Sequence, residues 1–451
     1  MPASAPSSSR RRFLALLPVT ALALWLTACG GDSDAPKTGT SAADLDKALQ
    51  QPTTLTFWTW VPNIQKTVDL FEKKYPKVKV KVVNAGQSAA EYTKLQTALK
   101  AGSGGPDVAQ VEYFALPQFA LAKQLVNLND YGADKLKDTY AASAWSQVNV
   151  NGGVYGLPQD TGPLAMFYRE DVLKKYDIEP PKTWAEYEKA AEKLHQADPK
   201  SYIASMDPGD AGVVSMLWQA GSRPFQTKKG TDVTVDLADK GATQWSQMSA
   251  RLLEKKLVDP QPGWTNEWWR AMSTGKYAMW ITGAWAPANI ASTLPDTMGK
   301  WRAAPVPQWN EGDHVSAENG GSSTVVPTTS KNKAAAVAFN QWLSSDPEAI
   351  KSLNANGLFP ATKQLLQDPA FLDTPLDVFG GQKANKIFAD SSAQVGTGWQ
   401  YLPYQVYANS VFKDTVGQKF TAYADPAPGF AEWQTRIADY GKEQGFNVTA
   451  K

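Results

Sequence analysis

Between Thr54 and Glu112 the hydrophobic pattern alternates between the period of a strand and the period of a helix, and this alternation constrains the fold more than any other feature of the chain. Leu55-Thr56-Phe57-Trp58-Thr59-Trp60 is rich in β-branched and aromatic residues and reads as a strand. Pro62 and Asn63 open a helix. Its apolar residues Ile64, Val68, Phe71 and Tyr75 follow the i, i+4, i+7, i+11 series of one helical face, and Pro76 stops it. Val78, Val80 and Val82 then alternate with Lys79 and Lys81, giving a second strand. Tyr92, Leu95 and Leu99 mark a second helix ended by Gly102, and Pro106-Asp107-Val108-Ala109-Gln110-Val111-Glu112 is a third strand. Strand–helix–strand–helix–strand predicts an α/β fold with a mainly parallel sheet.

Beyond the turn-rich stretch Asn151-Gly152-Gly153-Val154-Tyr155-Gly156-Leu157-Pro158-Gln159-Asp160 the pattern becomes more helical. Thr183-Trp184-Ala185-Glu186 has capping-box spacing, and Tyr187, Ala191 and Leu194 continue that helix. Residues 244–256 carry Trp245, Met248 and Leu252 at helical spacing. A further helix ends at Met272-Ser273-Thr274-Gly275-Lys276 before the strand Tyr277-Ala278-Met279-Trp280-Ile281. Ser330 is placed to cap a helix through Leu343. Asp346-Pro347 is a second N-cap, with proline at the first helical position. There is no internal repeat.

The N-terminus limits where such a fold can work. Ser9-Arg10-Arg11-Arg12-Phe13-Leu14 is a basic segment, which also fits a twin-arginine signal, and an apolar run over residues 14–26 follows it. The run is about 13 residues, short of the ~20 a spanning helix needs, and Pro18 interrupts it. It ends in Leu26-Thr27-Ala28-Cys29, and Cys29 is the only cysteine. A small residue before a lone cysteine after such a run is a lipobox. It predicts a signal peptide over residues 1–28, cleavage before Cys29, and acylation of its thiol. Residues 29–52, polar and without periodicity, are expected to be a flexible spacer. The product is then exported and lipid-anchored to the outer face of the cytoplasmic membrane.

A chain of 451 residues is too long for one core, so two domains are expected. A formal net charge of +1 leaves no basic surplus for nucleic acid. The two histidines, His195 and His314, lie in a helix-like run and a turn, which fits neither a zinc site nor a histidine-based triad. No cofactor or metal is expected. The chain carries 17 tryptophans and 16 tyrosines. An indole has an apolar face and one N–H, and so suits ligands with apolar faces and polar edges, although most of these rings are expected in the core.

Taken in order, several short segments resemble the family 1 extracellular solute-binding proteins, the sugar-binding lipoproteins of ABC importers. They are Leu55-Thr56-Phe57-Trp58, Phe71-Glu72-Lys73-Lys74-Tyr75-Pro76, Pro106-Asp107-Val108, Tyr155-Gly156-Leu157-Pro158 and Pro181-Lys182-Thr183-Trp184. The series continues through Gly275-Lys276-Tyr277-Ala278-Met279 with Gly283-Ala284-Trp285, then Pro305-Val306-Pro307, Gly320-Gly321-Ser322 and Ala336-Val337-Ala338-Phe339. The resemblance implies a two-lobe α/β fold of the periplasmic-binding-protein type II, with a carbohydrate ligand between lobes joined by hinge crossings. It implies crossings near residues 160–163, 305–307 and 344–347. The N-lobe is then 53–160 plus 306–345, and the C-lobe 161–305 plus 346–451. The expected partners are a mono- or oligosaccharide and the permease subunits, with the protein itself a monomer.

Ligands of open α/β sheets sit at the carboxyl ends of strands. That rule selects Trp60 and Asn63 after the first strand, Glu112 and Tyr113 after the third, and Gln159, Asp160 and Thr161 near the first crossing. The resemblance adds Trp285 as a stacking ring and Gly320, Gly321 and Ser322 as a loop allowing close backbone approach. It also adds Asp207 by position, and Trp399 and Tyr401 as walls from the second lobe. One of Trp58 and Trp60 is expected in the core. Trp264, Trp268 and Trp269, at helical spacing, are expected in the core or on the lobe surface. Two other readings stay open. One is a receptor for another solute such as glycerol phosphate. The other is an exported glycoside hydrolase drawing a carboxylate pair from Glu112, Asp160 and Glu318.

Overall fold

Leu55 and Phe57 are fully buried on β1 (Thr53–Trp58), and the rings around them define the first core. β1 pairs in parallel with β2 (Val78–Val83) and with β3 (Val108–Glu112). The sheet is antiparallel where the chain returns, because Ser322–Val325 runs against both β3 and Leu157–Pro158. Phe339, on the helix Lys333–Ser345, meets Phe57 edge-on at 5.5 Å and Phe71 at 4.8 Å. Each ring buried this way contributes roughly 1.5–3 kcal/mol of hydrophobic free energy. Helix Gln65–Lys74 lays Val68 and Phe71 on the same core, as its periodicity requires. Helix Ala89–Ala101 ends where Gly102 turns left-handed at φ +67°.

The computed structural model describes residues 41–209 and 212–451, all within one unit over residues 39–451. The signal segment and Cys29 lie outside the described residues. Ala42–Leu49, within the stretch expected to be a spacer, is a helix. Ser41 and Asp44 form its capping box, and Leu45 and Leu49, one turn apart, enter the first core. The polar composition around that pair hid it.

Two further cores surround the three-stranded antiparallel sheet in which Leu164–Arg169 lies between Met279–Gly283 and Trp301–Pro305. One contains Trp218, Leu252 and Trp433, the other Phe167, Trp301 and Phe388. Val306 and Ala317 pack with the Trp218 group, whereas Leu343, Ala349 and Leu353 pack with the first core. The chain passes from Leu157 in the first core to Leu164 in the second.

The helix cap at Thr183 forms with its reciprocal Glu186 bond, and Asp346 caps Pro347–Ala355. Ser330 is not a cap. Helix Lys333–Ser345 starts after Asn332, while the Ser330 hydroxyl donates to Asp107 Oδ1 at 2.6 Å and accepts from Asn332 N–H at 3.2 Å. Its long-range partner outcompetes the local one.

Among the described residues no helix is long and apolar enough to cross a membrane.

Candidate functional site: an indole-walled cleft

The segments 159–163 and 317–322 run side by side between the cores. Gln159 N–H donates to Ser322 O at 2.9 Å, Ser322 N–H to Asp160 Oδ1 at 2.9 Å, and Asn319 N–H to Gly162 O at 2.7 Å. Thr161 N–H reaches a third segment at Phe359 O, 2.9 Å away. Above this floor lies a cleft of about 1220 Å³. Trp60, Asn63, Gln110, Glu112 and Asp160 line it on the side of the first sheet. Trp264, Trp268, Trp280 and Trp285 line it on the other.

Trp285 follows the strand Met279–Gly283, whose last residue pairs with Leu164 beside the floor. Its indole N–H donates to Asn319 O at 2.7 Å, which fixes the ring relative to the crossing segments. Trp280 and Trp264 approach that ring at 5.7 and 5.8 Å, and Trp268 meets Trp280 at 5.2 Å, so the wall is a continuous set of tilted and edge-on indoles.

The facing wall is polar. Tyr92 O–H donates to Glu112 Oε2 at 2.9 Å and accepts from Glu112 N–H at 2.9 Å, which holds the carboxylate at the end of β3. Trp60 stands edge-on to Tyr92 at 6.4 Å. Gln110 joins the two sides of the sheet, accepting from Thr59 Oγ1 at 2.7 Å and donating to Ser322 Oγ at 3.1 Å. Burial pushes the Asp160 carboxyl up to about 8, with the Glu112 charge adding to the rise and the Ser322 N–H opposing it. At neutral pH Asp160 therefore holds its proton and can donate as well as accept. Across this cleft, apolar indole faces oppose hydrogen-bonding edges.

Of the residues selected from sequence, Trp60, Asn63, Glu112, Asp160, Asp207, Trp285, Gly320, Gly321, Ser322 and Tyr401 line this one cleft. Four do not. Tyr113 is buried and its O–H donates to Asp160 O at 2.8 Å; strand alternation turns it away from Glu112. Gln159 is buried beside Ser322, and Thr161 donates its hydroxyl to Pro360 O at 3.3 Å. Trp399 stacks flat on Trp218 at 4.9 Å inside the second core. Glu318, a candidate for a hydrolytic pair, is buried under the floor, accepting from Gly162 N–H and Ser143 O–H at 2.8 and 3.1 Å.

Gly320 and Gly321 adopt φ +81° and +87°. A Cβ on Gly321 would fall 2.7 Å from the Tyr113 ring, so the loop needs glycine for its turn and its packing.

Trp264 was missed. It precedes the helix Asn266–Thr274 and has φ +62°, so its apparent helical spacing to Trp268 and Trp269 is accidental. The Pro262-Gly263 pair just before it was the available signal of a turn.

Gly162 tests how tightly the floor is built. A Cβ there would come within 2.0 Å of Asn319 O and 3.1 Å of Trp285 Nε1. Gly162→Ala is expected to cost about 3 kcal/mol of stability, read as a lower urea midpoint at unchanged slope.

Residues 51–350 match the model for the bacterial extracellular solute-binding protein family. The ABC transporter associated binding protein from B. animalis subsp. lactis Bl-04, solved in complex with beta-1,6-galactobiose, is 40% identical. That likeness covers 88% of this chain and 99% of that one, with a TM-score of 0.79. The arabinooligosaccharide-binding protein of Bacillus subtilis (strain 168) is 29% identical over 74% of this chain and 76% of its own length. The lactose-binding protein of Rhizobium radiobacter is 27% identical over 79% of this chain and 85% of its own. The chain belongs to the bacterial extracellular solute-binding proteins. Its fold is the two-lobe type II α/β fold expected from sequence.

Proposed function

We propose that this protein is an extracytoplasmic receptor that binds a short oligosaccharide between its lobes and delivers it, chemically unaltered, to an ABC import permease. The observation that carries this reading is the wall of indoles at Trp264, Trp280 and Trp285 facing Glu112 and Asp160 across the cleft. Sugar rings present C–H faces to such a wall and hydroxyl edges to such carboxyls. Three relatives, named for or solved with galactobiose, lactose and arabino-oligosaccharide, support a disaccharide or longer ligand over glycerol phosphate. The burial of Glu318 beneath the floor weakens the hydrolase reading.

The cores support lobe limits set by crossings at residues 159–163, 317–322 and 358–362, so that 306–317 belongs with the second lobe and 345–356 with the first. Binding energy would close the lobes about these crossings. The lipobox at Cys29 supports a lipid anchor at the outer face of the membrane.

Calorimetry against β-1,6-galactobiose, lactose and arabino-oligosaccharides tests the reading. Micromolar affinity, about −8 kcal/mol, is expected for at least one of them, with a change in intrinsic tryptophan fluorescence and no product after prolonged incubation. A panel giving neither heat nor a fluorescence change would refute it, and released monosaccharide would restore the hydrolase.

A further inference from the structure

Asp207 lines the cleft, yet both its carboxylate oxygens are occupied. Oδ1 accepts from Gly209 N–H at 2.7 Å and closes its own turn, while Oδ2 accepts from Gly263 N–H at 2.8 Å, in a loop 56 residues further along. The next residue in that loop is Trp264. Its φ of +62° is a costly conformation for a bulky side chain, and its ring is 52% exposed. A strained residue of this kind stays in place only when its neighbours hold it there. On one side the hold is the Asp207–Gly263 bond. On the other, Thr265 caps the following helix by accepting from Trp268 N–H at 3.2 Å, and Trp268 Nε1–H is anchored on Ser205 Oγ at 2.7 Å. A side chain at 263 would push the Asp207 carboxylate aside, since a Cβ there would lie 2.7 Å from Asp207 Oδ2. Held this way, the Trp264 ring stands 5.8 Å from that of Trp285 and tilted 32° to it, and both line the cleft.

We propose that Asp207 is a positioning residue for Trp264, and that Trp264 is the specificity residue for a second sugar ring bound beside the one at Trp285. This rests on the carbohydrate reading above. It assigns Asp207 to holding the loop rather than to a ligand hydroxyl. A disaccharide running along the wall would cover more of Trp264 than a monosaccharide stacked on Trp285, so loosening the loop would penalise disaccharides selectively.

The test is calorimetry of the wild type, Trp264→Ala, Asp207→Ala, Asp207→Asn and the Asp207→Ala/Trp264→Ala double variant with β-1,6-galactobiose, lactose and free galactose. Trp264→Ala is expected to weaken the disaccharide bound by the wild type about 10-fold and to change galactose affinity less than about 2-fold. Asp207→Ala should give the same selective loss, and the double variant should be no weaker than Trp264→Ala alone, since the residues act through one ring. Asp207→Asn, with one acceptor oxygen for two N–H groups, should fall between Asp207→Ala and the wild type. Should Asp207→Ala fail to fold, the Asn variant and Trp264→Ala still decide the matter. Equal losses for galactose and disaccharide, or additive losses in the double variant, overturn the proposal while leaving the receptor reading intact. A wild type that binds none of these three sugars and no arabino-oligosaccharide overturns both.

Discussion

Trp285→Ala is expected to weaken oligosaccharide binding by about 100-fold, equivalent to about 3 kcal/mol, while the protein remains folded. The indole is slotted into place from three directions. Its N–H is bonded to Asn319 O, it packs against Trp264 and edge-on to Trp280, and room for it depends on Gly162, Gly283 and Gly320. A Cβ on any of these would come within 3.1, 2.3 or 3.1 Å of Nε1, respectively. A ring held that firmly loses little freedom when a sugar stacks on it, so most of its contact energy appears as affinity. Truncation removes the platform, leaves the Asn319 carbonyl without its donor and lets the remaining wall relax. Trp285→Phe keeps an apolar face but not the tether, and an intermediate loss of about 10-fold is expected. Titration calorimetry on both variants, with thermal melts to confirm folding, measures this. An alanine variant within about threefold of wild type would remove Trp285 from the site.

The distinction between Trp285 and the other tryptophans also marks what was legible in the sequence. Local periodicity carried β1 to β3 and the helices between them, because Val68, Phe71, Leu95 and Leu99 face a core that their spacing already implies. The two-lobe fold followed from ordered short motifs rather than from any one of them. Of the residues that line the cleft, Trp60 and Glu112 were marked by the strand ends and Trp285 by the family resemblance. The site was illegible where tertiary partners decide. Tyr113 and Glu112 are adjacent, yet the strand turns one into the core and the other into the cleft. Nothing local to Trp399 reveals that Trp218 lies flat against it. Ser330 abandons its local cap for Asp107, more than two hundred residues earlier in the chain. Trp264 sits at the right interval for a helix that has not yet begun.

Stability is expected to fall as pH rises from 5 to 9, and Glu91 is one of three buried carboxyls that cause it. It lies fully buried on the helix Ala89–Ala101, and neither carboxylate oxygen has a hydrogen-bond partner. Lys94, one turn on, gives its ammonium to Ala85 O instead. Burial, reinforced by the Glu112 charge and opposed by Lys94, pushes the Glu91 carboxyl up to about 8. Asp160 is likewise raised to about 8 and Glu318 to about 7, both chiefly by burial. An acid whose folded-state pKa exceeds its unfolded value, near 4, binds more protons folded than unfolded. Its contribution is complete below about pH 4 and is lost as pH climbs through 7 to 8. Glu72, Asp171 and Asp346 are shifted down despite burial, by partners Lys79, Arg169 and Lys74, and act oppositely, withdrawing stability only in acid. The optimum therefore falls on the mildly acidic side of neutrality. Glu91→Gln keeps the shape and removes the proton. The melting temperature of the wild type minus that of the variant is then expected to drop by about 3–5 °C between pH 5 and pH 9, corresponding to roughly 4 kcal/mol in a chain of this size. Taking the difference cancels any pH-independent cost of burying an amide. Parallel melting curves across that range would mean that Glu91 ionises as freely in the folded protein as in the unfolded chain.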